Sequence, residues 1–195
     1  ELLNPGATVG QQSQETLRGN WLPRLAIRGE LLIDGRPLSI SGQGWLEAAS
    51  GRVASLLSEG QGQLVADRFV LQLDQGDALM CLRLRRREGG GVPLNNCALV
   101  SPEAGIRRFD RRDVQLEPIK DADWRSPTSD LRYPLRWTLK IPGRAYQLSA
   151  LRPDRELPIG IPFWSGPLMV LDEAGQPLGL GRMDLTGAPA GNSLF

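Results

Sequence analysis

Apolar and polar residues alternate with a period of two over much of this chain, the pattern of strands that bury one face. The cleanest stretch sets Tyr133, Leu135, Trp137, Leu139 and Ile141 against Arg136, Thr138 and Lys140, and Pro142-Gly143 ends it. In RLAIRGELLI, residues 24–33, Leu25, Ile27, Leu31 and Ile33 share a face. The Asp34-Gly35 pair that follows predicts a tight hairpin into a strand returning over 37–47. Phe69, Leu71 and Leu73 alternate with Val70, Gln72 and Asp74, and a Gly-containing turn over 74–77 leads into ALMCLRLR as a second hairpin. Shorter strands are expected over 94–100, 106–109 and 113–117, and further ones near 144–151, 161–171 and 177–186, with turns at RPDRELP and DEAG. No window keeps helical spacing for three turns without Gly or Pro.

The pattern yields nine or ten antiparallel strands at the spacing of a barrel or sandwich. So many strands present exposed edges unless the sheet closes, and a closed sheet of about eight strands or more has room for one small ligand. The expected fold is therefore all-β, an antiparallel lipocalin-like β-barrel of about eight to ten strands over residues 21–195. A loosely structured arm over residues 1–20, with NPG, QQSQ and RGN, is expected to precede it. A chain of 195 residues can bury the core of one large β domain, and 41% hydrophobic residues with five Trp argue against disorder.

Charge narrows the partners. The formal net charge is +1, so no global field draws nucleic acid or an anionic membrane. Arg83, Arg85, Arg86 and Arg87 precede Glu88, while Arg107, Arg108, Arg111 and Arg112 flank Phe109 among Asp110 and Asp113. These clusters are expected to be solvated strand ends and turns, since no series of stacking aromatics accompanies them and nucleic acid is not expected as a partner. The absence of histidine removes the usual general base near neutral pH, the commonest metal ligand and any Ser-His-Asp triad. Two cysteines without a CxxC pair cannot make a structural zinc site, so no metal and no cofactor is expected. EGGG at 88–91 and EGQG at 59–62 are not phosphate loops, because neither leads into a lysine and a helix.

If the EGGG turn is centred on Gly89, Cys81 and Cys97 face one another across a hairpin, and a disulfide becomes available in an oxidising compartment. A shift of one residue removes the match. No apolar run is long enough to span a bilayer, so no transmembrane segment is expected. A start at Glu1 with neither methionine nor leader reads as a processed or excised chain.

The ordered series GQGWLE (42–47), FVLQLDQGDALMCLRLR (69–85), DWRSP (123–127), YPLRW (133–137), FWSG (163–166) and GLGRMDLTG (179–187) resembles a lipocalin-like family. That family contains carotenoid 1,2-hydratase (hydroxyneurosporene synthase) and the AttH proteins, and fungal decalin-forming Diels-Alderases resemble it too. The likeness covers residues 21–187. Family members usually carry two β-barrel-like domains, and this chain matches the C-terminal one with the strand entering it. The resemblance implies a hydrophobic small molecule as ligand, an isoprenoid, polyene or lipid, with a second barrel domain or partner protein as neighbour. It also implies a bacterial extracytoplasmic or membrane-peripheral location.

The family's enzymes act on apolar polyenes. Hydrating an isolated double bond requires a carboxylic acid that protonates carbon and aromatic faces that stabilise the cation. An Asp two residues beyond an aromatic suits the acid, and here Trp45-Leu46-Glu47 supplies the pattern with Glu in its place. Trp45 and Glu47 share a strand face with Ser39, Ser41 and Gln43, opposite Leu38, Ile40 and Leu46. Facing inward, Glu47 is a proton donor beside a tryptophan; facing outward, it is a surface carboxylate. In FWSG, Ser165 stands where the resemblance implies an acid. Arg182 and Asp184 share a face, either as an ion pair fixing the last strand or with Asp184 assisting Glu47. Trp124, Tyr133, Trp137, Phe163 and Trp164, with Trp45, are the candidate ligand-lining residues, and the tryptophans serve equally as core. Two functions remain open: a module that binds an apolar molecule or acts as an accessory subunit, and a metal-free hydratase or cyclase.

Overall fold

The computed structural model describes residues 18–50, 64–87, 91–92, 94–160 and 162–189. Fourteen strands and no helix occur among the described residues. The count exceeds nine or ten because strands of two or three residues carry no readable alternation. The chain divides into two units, Glu1–Arg52 and Val53–Phe195.

The first unit holds a hairpin of β1 (Arg18–Ile33) and β2 (Arg36–Ser50). Ile33 pairs with Arg36, leaving Asp34 and Gly35 as a two-residue loop with φ of 50° and 77°. Both angles are positive, as a type I′ turn demands, so the Asp-Gly signal is realised. The ladder shifts register between Leu22 and Leu25, at Pro23, which has no amide hydrogen to donate. Ile27, Leu31 and Ile33 share a face as expected, yet they are 43%, 48% and 53% exposed. A Cβ on Gly44 would lie 2.4 Å from Ile27 Cδ1, so glycine there makes room for the isoleucine.

The second unit begins with β3 (Leu64–Leu73), β4 (Ala78–Arg86), β5 (Leu94–Ser101), β6 (Gly105–Phe109) and β7 (Gln115–Pro118). A short pair, β8 (Asp123–Arg125) with β9 (Arg132–Pro134), follows. The remaining strands are β10 (Arg136–Ile141), β11 (Arg144–Ala150), β12 (Glu156–Leu157), β13 (Phe163–Leu171) and β14 (Pro177–Thr186). Ten strands form one antiparallel sheet in the order β6-β5-β4-β3-β14-β13-β11-β10-β7, with β12 on β13.

Six antiparallel steps separate β5 from β10, so these two strands run the same way, and so do their outer neighbours β6 and β7. One stretch of chain therefore leaves one edge of the sheet as β6, crosses residues 110–114, and joins the opposite edge as β7. Asn95 Nδ2 donates to Val114 O at 3.2 Å and ties that crossing to β5. The sheet is thus curled as a half-barrel, with β6 and β7 as the two ends of the ladder and no pairing between them among the described residues.

Its inner face carries one apolar cluster that includes Phe69, Leu71, Leu79, Leu99, Leu139, Leu148, Leu168 and Met183. The Phe69 and Trp137 rings meet edge-on with centroids 5.0 Å apart, although β3 and β10 are four strands apart in the ladder. Only a tightly curled sheet brings them together, and such an aromatic pair contributes about 0.5–1.5 kcal/mol beyond its burial. Cys81 and Cys97 are paired residues of β4 and β5, with Cα atoms 4.2 Å apart, and form a disulfide. Leu84 pairs with Leu94 in the same register, the alternative in which the two cysteines match; residues 88–90 of the turn lie outside the described residues.

Candidate functional site

Alternation along β3 puts Asp67 on the same face as Phe69 and Leu71, and along β4 it puts Arg83 and Arg85 on the face of Leu79 and Cys81. Asp67, Arg83 and Arg85 are 1%, 3% and 4% exposed. This corrects the expectation that the whole 83–87 cluster is a solvated strand end. Only Arg86 is exposed and Arg87 half-buried, whereas Arg83 and Arg85 continue the inward face. Arg107, Arg108, Arg111 and Arg112 are exposed as expected.

The inward charges converge on one carboxylate oxygen. Arg83 Nη1 donates to Asp67 Oδ2 at 2.8 Å, and Arg85 Nε donates to the same oxygen at 3.0 Å. Asp67 Oδ1 accepts from Thr186 N at 3.3 Å, Arg85 Nη2 donates to Thr186 O, and Thr186 Oγ1 donates to Ala66 O at 2.9 Å. These bonds pin the end of β14 to β3 and β4. The Arg83 guanidinium lies 5.3 Å from the Trp137 ring centroid, a cation–π contact inside the sheet. Burial pushes Arg83 below its usual pKa, with Asp67 opposing the shift. Asn95, the register partner of Arg83, is 8% exposed. Two buried polar atoms here have no hydrogen-bond partner: Arg85 Nη1 and Asn95 Oδ1.

A second network holds the β8–β9 pair. Glu156 accepts from Tyr133 Oη at 2.6 Å, from Ser126 Oγ at 2.5 Å and from Ser129 Oγ. Burial pushes the Glu156 carboxyl up, but these three hydrogen bonds outweigh it and hold the group below the usual carboxylate range. Burial, with Glu156 adding to it, pushes the Tyr133 phenol well above its ordinary value. Ser126 of DWRSP also accepts from Thr128 N and Ser129 N at 3.1 and 3.2 Å, so it shapes the turn. Beside it, Asp123 Oδ2 accepts from Arg132 Nη1 at 3.3 Å, while its Oδ1 is buried and accepts nothing. Burial raises the Asp123 carboxyl, against Arg132 and with Asp121.

Tyr133, Trp137 and Trp164 belong to the apolar cluster at 0%, 1% and 0% exposure, and Trp124 packs against it with its ring 6.0 Å from Tyr133. Their indole donors are satisfied by backbone: Trp137 Nε1 by Pro134 O at 2.7 Å and Trp164 Nε1 by Pro153 O at 2.6 Å. A Cβ on Gly166 would sit 2.7 Å from the Trp164 ring, which explains the glycine of FWSG. Successive strand residues point to opposite faces, so Phe163 stands with Ser165, outside the apolar cluster that holds Trp164.

Asp184 also lies on that other face. It accepts from Arg68 Nε at 3.1 Å and Nη2 at 2.5 Å, from Arg182 Nε at 3.0 Å and from Ser165 Oγ. Arg182 Nη2 donates to Ser165 Oγ at 2.5 Å. Burial raises the carboxyl, but the Ser165 hydrogen bond and the Arg68 and Arg182 guanidiniums prevail and hold it below the usual range. An ionised, fourfold-bonded carboxylate fits the ion-pair alternative and is a poor proton donor. Trp45 and Glu47 are half-buried in the hairpin unit, where Glu47 faces Trp21 across the ladder. Leu38 and Leu46, on the other face of β2, are both 51% exposed.

A family model described as AttH-like matches residues 10–188. No curated protein matches. Among solved structures, a protein assigned as an AttH from Nitrosomonas europaea is similar with TM-score 0.76 at 24% identity, covering 94% of this chain and 55% of that one. Kievitone hydratase from Nectria haematococca is similar with TM-score 0.66 at 18% identity, covering 89% of this chain and 53% of that one. The chain thus spans about half the length of these two proteins.

Proposed function

The chain belongs to the AttH-like family, and from that premise we propose that its curled-sheet unit is a lipocalin-like module binding a hydrophobic small molecule, such as an isoprenoid, polyene or lipid. The observation that carries this reading is the inner face itself. Apolar side chains give way at one end to Arg83 and Arg85, which converge on Asp67, with Arg83 over the Trp137 ring and Asn95 as its register partner. Small-molecule sites pair an apolar lining with a few convergent polar groups, whereas a core built for stability alone gains little from buried charge. The Cys81–Cys97 disulfide supports an extracytoplasmic location, because such bonds persist in oxidising compartments. A second barrel domain or partner protein is part of the same proposal, given the length of the similar solved structures.

Delipidated protein incubated with a bacterial lipid and carotenoid extract, then repurified and analysed by native mass spectrometry, should retain an apolar ligand at one per chain. Protein that emerges empty refutes the proposal.

A second reading, hydration or cyclisation of a polyene, draws on Asp123. It is the carboxyl whose pKa is raised and whose Oδ1 is unbonded, and Trp124 and Tyr133 lie beside it. It suits a general acid better than Asp184 does, because its environment favours the protonated form whereas that of Asp184 favours the ionised one. Incubation with polyenes in 18O-labelled water should then give a hydrated product that Asp123→Asn abolishes. Absence of product from the native protein removes this reading and leaves the binding module.

A further inference from the structure

We infer that Arg85 anchors the charged head of the ligand, and that the ligand is a monoanionic carboxylate on an apolar tail. The inference rests on the binding proposal above and deepens it.

Arg85 is 4% exposed, yet its Nη1 donates to nothing. A buried donor left unmade carries a desolvation penalty that folding must absorb, so such an atom offers a place for an acceptor from outside the chain, a water or a ligand group that displaces it. Charge points to what that acceptor is. The carboxylate oxygen on Arg85 Nε is shared with Arg83, and the Nη2 bond goes to a neutral carbonyl. Arg85 therefore holds half of one carboxylate oxygen. A single negative charge on Nη1 completes its guanidinium, and the planar fork of arginine suits a carboxylate. A phosphate dianion would bring more charge than this one donor atom balances.

The tail follows from the strand. Two and four residues before Arg83 on the same face come Cys81 and Leu79, and Trp137 and Phe69 lie alongside. A head on Arg85 thus places an alkyl or polyene chain directly along the apolar cluster. Asn95 Oδ1, on the register partner of Arg83, is a second unsatisfied atom near the head, and it suits a hydroxyl or a water carried in with the carboxylate.

Titration of the delipidated full chain with oleate and with oleyl alcohol, below their aggregation limits, separates the parts. A charged hydrogen bond in a buried site predicts that oleate binds roughly tenfold or more tightly than the alcohol. Arg85→Gln should bring the two affinities together. Equal affinity for acid and alcohol in the native protein overturns the anchor and leaves the apolar module standing. Binding of neither overturns both. A preference for oleate that survives in Arg85→Gln also refutes the role of Arg85. Should Arg85→Gln not fold, 13C NMR of carboxyl-labelled oleate on the native protein decides. The bound carboxyl should titrate below the free acid, and titration at or above the free value refutes the anchor.

Discussion

Breaking the Cys81–Cys97 bond is the perturbation whose size the structure sets most directly. The two residues are 16 apart in sequence and form a register pair of β4 and β5, so the bond closes a short loop in the unfolded chain. For a loop near that length the chain-entropy estimate is about 3 kcal/mol. Cys81 and Cys97 are 0% and 4% exposed, and as free thiols they still pack as small apolar groups, so the native contacts change little. For a chain of this size each kcal/mol corresponds to roughly 2–4 °C in Tm, which predicts a fall of roughly 6–12 °C. Circular-dichroism melts of oxidised and reduced protein measure it, with free thiols counted in denaturant to verify the redox state. The Cys81→Ala, Cys97→Ala double variant should melt with the reduced form. A fully reduced protein that melts within about 1 °C of the oxidised one refutes the reasoning.

Asp67→Ala leaves two buried guanidinium groups without their shared carboxylate and should cost about 3–5 kcal/mol in urea unfolding, a larger loss than Asp184→Ala at the more open network. Gly166→Ala forces a Cβ to 2.7 Å from the Trp164 ring and 3.1 Å from Arg155 Cγ, so it should destabilise by about 1–3 kcal/mol and shift the tryptophan emission. Asp184 and Glu156 are both held below the usual carboxylate range in the folded state. Their stabilisation is fully present above the unfolded-state values near pH 4 and is lost as pH falls through the lower folded-state values. Stability should therefore drop on acidification, and Asp184→Asn, destabilised at neutral pH, should approach the native protein in acid. Parallel curves for the two would refute the assignment.

Much of the architecture was legible because strands with one buried face declare themselves by alternation. Asp34-Gly35 and the β10 pattern follow from local chemistry that the rest of the fold does not override, whereas the Cys81–Cys97 register stayed open to a shift of one residue in a glycine-rich turn. The shortest strands escaped, since Glu156–Leu157 is too brief to alternate. The interior charges were legible in principle. Asp67 lies two residues before Phe69, and Arg83 and Arg85 lie two and four residues after Cys81, so period two already placed them inward. Reading charge as a mark of solvent hid them, because pairing across strands, which neutralises such groups, is not visible in one strand. Phe163 and Trp164 are neighbours in FWSG, and alternation alone sets them on opposite faces. Asp123 carries no mark in sequence, because its raised carboxyl depends on burial and on Arg132 across the β8–β9 pair.

The account turns on whether an apolar ligand reaches the arginine end of the inner face. Labelling the five tryptophans with 5-fluorotryptophan and assigning Trp137 through Trp137→Phe allows a direct 19F NMR test during titration with oleate. The Trp137 resonance, beneath Arg83, should shift and saturate at one ligand per chain. Binding that saturates while the Trp137 resonance stays in place would contradict the account.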